Sequence, residues 1–136
     1  AIKGYEIKTQ LYTVPGQVKY NATRKLVLKG VDGIVFVADA MAVRREKNIL
    51  SLKNLQENLA NYKKSIFKIP CVLQYNKLDL QEQGIPLLST DILEKDLNSQ
   101  LKRPSFFASA LKGTNVVATL KKIISMTVAS IKRDMK

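Results

Sequence analysis

Histidine and tryptophan are absent from the 136 residues, and cysteine occurs once. The chain therefore cannot assemble a His-based catalytic triad, a His or Cys zinc cluster or an internal disulfide. Chemistry is left to backbone groups, carboxylates, amides and cations. The single Cys71 lies in an apolar run, where a small core residue in a reducing, cytoplasmic compartment is expected. No apolar stretch approaches the ~20 residues of a membrane span. The opening Ala1-Ile2-Lys3-Gly4-Tyr5 is not a signal peptide and does not start with Met, which leads to the expectation of a piece of something longer. Acidic residues are scarce, 11 against 23 Lys plus Arg, and the net charge of +12 favours anionic partners. No basic stretch is interleaved with aromatics, and no helix-turn-helix or zinc-finger spacing occurs. Nucleic acid is accordingly not the expected partner.

At 136 residues and 46% hydrophobic, the chain suits one domain with a single core. Ile7 to Val14 alternates in the manner of a strand and stops at Pro15-Gly16. Gly33 to Ala40 is a continuous apolar run, as expected of a strand buried on both faces. Cys71 to Tyr75 and Ser105 to Ser109 read as two further strands. Leu52, Leu55, Leu59 and Tyr62 recur at helical spacing, as do Val117, Leu120, Ile124 and Ile131. A short helix is expected over Asp91 to Leu97, opened by an Asp91/Glu94 capping pair, and Thr114 is the expected N-cap of the last helix. Alternating strands and helices predict an α/β fold, a doubly wound and mostly parallel sheet with right-handed crossovers.

Such sheets bind ligands beyond the carboxyl ends of their strands. Asn76-Lys77-Leu78-Asp79 follows one strand directly and has the pattern N-K-x-D. Guanine presents two donors side by side, N1–H and the 2-amino group, and one carboxylate at Asp79 can accept both. Adenine offers an acceptor there, and a bidentate contact of this kind discriminates between bases by about 1–3 kcal/mol. Asn76 is expected to bridge neighbouring loops, and the Lys77 stem to lie along the base plane with its ammonium reaching polar groups. Ser109-Ala110-Leu111 follows the last strand, where the Ala110 N–H is placed to donate to guanine O6. In Thr13-Val14-Pro15-Gly16-Gln17, the Gly16 N–H suits a terminal phosphate and the Gln17 amide suits the orienting of an attacking water. Asp39 is read as a capping and loop residue.

Taken together, Thr13 to Asp39 and Gln74 to Asp79 resemble the Ras-like small GTPases, and more closely the bacterial gliding-motility and cell-polarity GTPases of the MglA type. The resemblance covers essentially the whole chain. It implies a fold of the P-loop NTPase and small GTPase type, GTP or GDP as ligand with Mg2+ in the full-length protein, and slow hydrolysis accelerated by a partner. Ras-like proteins usually carry Asp where Thr13 stands, a departure that the MglA-like group shares. The phosphate loop G-x-x-x-x-G-K-[ST] does not occur in this sequence. On the resemblance, then, the chain is an N-terminally truncated domain, residues 1–136, holding the second switch, the base-recognition motifs and the C-terminal helix. A strand expected between Ile7–Val14 and Gly33–Ala40 would be supplied by further residues or by exchange with another copy. Val18 to Lys29 corresponds to the second switch, with Tyr20, Arg24 and Lys25 facing a roadblock-type GTPase-activating protein, and polarity or motility effectors are implied partners. Lys132-Arg133 fits a helix end that favours cations. Rival classes are a non-catalytic GTPase-like interaction module and, behind it, a basic nucleic-acid-binding domain.

Overall fold

The computed structural model describes residues 21–134. Helix α1 (Asn21–Leu28) leads to strand β1 (Ile34–Asp39). A 3-10 turn (Ala42–Arg44) then enters helix α2 (Arg45–Asn61), which is followed by β2 (Cys71–Asn76), a second 3-10 segment (Leu78–Gln83), α3 (Thr90–Leu97), β3 (Ser105–Phe107) and α4 (Val116–Asp134). The expected strand at Ile7–Val14 lies outside the described residues, as do Thr13, Gly16, Gln17 and Tyr20.

The three strands form one parallel sheet in the order β1-β2-β3. Ile34 lies opposite Cys71, Asp39 opposite Asn76, Leu73 opposite Ser105 and Tyr75 opposite Phe107. Because side chains alternate along a strand, Ile34, Phe36, Ala38, Cys71, Leu73 and Tyr75 share one face. That face meets Leu52 and Leu59 of α2 and Leu93 and Leu97 of α3 to form the main core. On the opposite face α4 lies mainly over β2, where the Gln74 side-chain amide donates to Thr119 Oγ1 at 2.9 Å. Both polar groups are buried, and each satisfies the other. Across α2 and α3, Arg45 grips Asp96 with Nε at 2.7 Å and Nη2 at 3.1 Å, and this hydrogen-bonded pair holds the Asp96 carboxyl below the ordinary carboxylate range.

Several local expectations need correction. Val37 is half exposed, so the strand at Gly33–Ala40 is not buried on both faces along its whole length, because α4 lies mainly over β2. β3 stops at Phe107, since the Ser109 N–H turns away to the Thr114 carbonyl at 3.1 Å. The cap of α3 is Ser89, in extended conformation, whose Oγ accepts from the Ile92 N–H at 3.2 Å. Asp91 is already inside the first turn, and Glu94 instead accepts from Asn98 Nδ2 at 2.7 Å and from the Ser105 hydroxyl. Thr114 does not cap α4, because its carbonyl is committed to Ser109 while the helix opens after Asn115. The buried seam of α4 runs through Thr119 and Ile123, and Val117 is exposed.

Gly33 is dictated by the close approach of α4. A Cβ there would lie 2.2 Å from Thr127 Oγ1 and 3.4 Å from Ile123 Cδ1. The Thr127 hydroxyl is fixed by donating to the Ile123 carbonyl at 2.7 Å. Gly33→Ala is expected to destabilise the fold by about 1–3 kcal/mol through overpacking. In a Thr127→Ala background at least half of that penalty should vanish in urea unfolding; an equal penalty in both backgrounds would place the clash elsewhere.

Cys71 is fully buried at the start of β2, and burial pushes its thiol up to about 11, partly offset by Arg103. A folded pKa raised above the unfolded value of about 8.5 contributes stability that is complete below that value and is lost as pH rises toward the folded one. Cys71 should resist a thiol reagent at pH 8 until denaturant is added. Rapid labelling of the native protein would contradict that burial.

Candidate functional site

The carboxyl ends of all three strands converge on one edge of the sheet. The Ala40 N–H donates to the Asn76 carbonyl at 3.0 Å, the Ala108 N–H to the Tyr75 carbonyl at 2.7 Å, and the Leu78 N–H to the Ala108 carbonyl at 2.9 Å. Asn76, at the end of β2, accepts through Oδ1 from the Ala110 N–H at 2.8 Å and so ties the loop after β2 to the loop after β3. Lys77 follows in the left-handed region at φ 81, which turns the chain sharply into the 3-10 segment that carries Asp79. A non-glycine residue rarely takes that conformation outside turns and binding sites.

Asp79 is buried, 8% exposed. The Ser109 hydroxyl donates to its Oδ1 at 2.8 Å and in turn accepts from the Lys112 N–H at 3.1 Å. Ser109, itself fully buried, therefore fixes the carboxylate from behind. Each carboxylate oxygen has two lone-pair sites, so Asp79 can still accept a pair of parallel donors. A carboxylate held this way loses little freedom on binding, which favours discrimination by hydrogen-bond pattern over simple charge attraction.

Asn76, Lys77, Asp79, Ser109 and Ala110 thus come together. The Ala110 N–H is engaged by Asn76, so a base carbonyl on that edge would share this donor with the Asn76 amide oxygen. Leu111 is 81% exposed. Gly16, Gln17 and Tyr20 lie outside the described residues. Of the expected partner-facing cations, Arg24 donates through Nε to Asn54 of α2 at 3.3 Å, and Lys25 lies in the last turn of α1, half-buried. Arg24 therefore helps to join two helices. Among the described residues no group of three or more His, Cys, Asp or Glu is placed to hold a metal ion. No helix among them is long and apolar enough to cross a membrane.

Two residues take roles at this edge that sequence reasoning did not give them. Asp39 does cap the turn after β1, its Oδ1 accepting from the Met41 N–H at 3.0 Å, but its Oδ2 also pairs with Lys77 Nζ at 2.8 Å. Asn48 of α2 is buried and grips the Asp39 backbone twice: its Oδ1 accepts from the Asp39 N–H at 3.1 Å, and its Nδ2 donates to the Asp39 carbonyl at 2.8 Å. The signal for Asn48 was an amide in register with the apolar stripe Leu52, Leu55 and Leu59, where a leucine would otherwise be expected.

The sequence profile of the Ras family matches residues 1–129. The chain is 44% identical over 132 residues, 97% of its length, to the mutual gliding-motility protein MglA of Myxococcus xanthus (strain DK1622). It spans 65% of that protein's length.

Proposed function

Since the chain belongs to the Ras family, we propose that it is the base-reading part of a GTP-binding switch that hydrolyses GTP slowly and controls gliding motility or cell polarity in a bacterium. The observation that carries this reading is the buried Asp79 carboxylate, held by Ser109 and set beside Asn76 at the end of a parallel sheet. In this reading Asp79 accepts the two guanine donors, Asn76 holds the two base-facing loops together, and the Lys77 stem flanks the base. The Ala110 amide faces the guanine carbonyl, and Leu111 contributes only through its backbone.

Gly16 and Gln17 take the phosphate end, Gly16 by its N–H and Gln17 by orienting water. Mg2+ accompanies GTP and supplies charge neutralisation at the phosphates in the full-length protein. Tyr20, Arg24 and Lys25 belong to the second switch, where a roadblock-type activating protein engages, and the protein works in the cytoplasm. Extracting the nucleotide that co-purifies with the full-length protein tests the reading. GTP or GDP at near one equivalent supports it. Adenine nucleotide, or none even after incubation with GTP, would favour a docking module without turnover.

A further inference from the structure

The pair between Asp39 and Lys77 joins the ends of two neighbouring strands, and its two members are held in very different ways. Asp39 is over-determined. Its backbone N–H and carbonyl are both taken by the buried Asn48 amide, and its Oδ1 accepts from the Met41 N–H. Parallel ladders alternate their bonding direction along a strand. The Ile34 and Ala40 amides reach the Pro70 and Asn76 carbonyls of the β2 side, so residues of the other parity, Asp39 among them, aim their backbone groups away from β2. At Asp39 a side chain of α2 fills the role of a neighbouring strand. The carboxylate is thereby fixed before Lys77 arrives.

Lys77 is the adaptable member. Its side chain has four rotatable bonds and is 41% exposed, and its backbone lies at φ 81 directly after β2. The Asp39 side chain, 22% exposed and with Oδ2 2.8 Å away, selects one of its rotamers. Arg44 Nε stands 4.0 Å from the same oxygen, so the anchor also lies in reach of a second cation.

We propose that Asp39 is a positioning residue for the nucleotide site: it stretches the Lys77 stem from the end of β2 to the end of β1 and so sets the apolar surface on which the base lies. This inference rests on the base-reading role proposed above. As a half-exposed ion pair it adds little to stability. Its effect is on the freedom of Lys77, which a bound base would otherwise have to freeze.

The test is the dissociation rate of a fluorescent GDP analogue from the full-length protein, for wild type, Asp39→Asn, Lys77→Ala and the double variant. Asp39→Asn keeps the acceptor for Met41 and the backbone grip of Asn48 while removing the charge. It should speed dissociation about two- to fivefold, an ion-pair effect of modest size. In the Lys77→Ala background it should have no further effect. High salt should narrow the gap between the wild-type and Asp39→Asn rates. Asp39→Glu should restore part of the loss. An unchanged rate in Asp39→Asn, or an equal acceleration with and without Lys77, would overturn the proposal. Failure of wild type to bind the analogue at all would instead sink the base-reading role and this inference with it.

Discussion

Asp79→Ala is expected to lower guanine-nucleotide affinity by 100-fold or more in the full-length protein while leaving it folded. Two hydrogen bonds to a charged acceptor, each contributing about 1.5–3 kcal/mol, amount to roughly two to four decades of affinity. The structural cost is separate and smaller. Removing the carboxylate strips the buried Ser109 hydroxyl of its acceptor at 2.8 Å, which costs about 1–3 kcal/mol against a usual total of ~5–15. Asp79→Asn separates the two effects, because its amide oxygen can still accept from Ser109 while its NH2 opposes the guanine donors. Equilibrium titration with a fluorescent guanine nucleotide, alongside thermal unfolding, reads both quantities. A variant that is destabilised yet keeps its nucleotide affinity would make Asp79 a structural residue.

Gln17→Leu is expected to do the opposite, retaining nucleotide and losing hydrolysis. An amide can donate to one group and accept from another at once, which allows it to hold water in line with a terminal phosphate. Leucine has similar volume and neither capacity. If orientation of water is what Gln17 supplies, single-turnover phosphate release should fall about 100-fold, the scale of general catalytic positioning, with the dissociation rate of GDP unchanged. An unaltered turnover would move water orientation to another group.

The sheet was legible because parallel strands announce themselves as apolar runs, and Ile34–Asp39 and Cys71–Asn76 lie within one residue of the runs read from the sequence. Helix α2 was legible from the leucine stripe at Leu52, Leu55 and Leu59. What misled was local polar chemistry. Asp91 looks like a cap, and only backbone conformation decides that Ser89 is the one instead. The inward face of α4 was missed because one of its two buried residues is Thr119, whose hydroxyl is bonded to Gln74 and so is not priced as polar. At the site, the residues after each strand were legible from topology and motif, whereas the Asp39–Lys77 pair was not. Nothing in a linear sequence couples two residues on separate strand ends, and Asn48 signalled only that one amide was out of place among leucines.

On the proposed reading, the end of this sheet selects guanine. Competition of GDP and ADP for the same fluorescent guanine nucleotide on the full-length protein measures it directly. Two well-placed hydrogen bonds, lost and left unpaired with adenine, should make GDP the better competitor by at least about 100-fold. Equal competition by ADP, or a preference for it, would contradict the account.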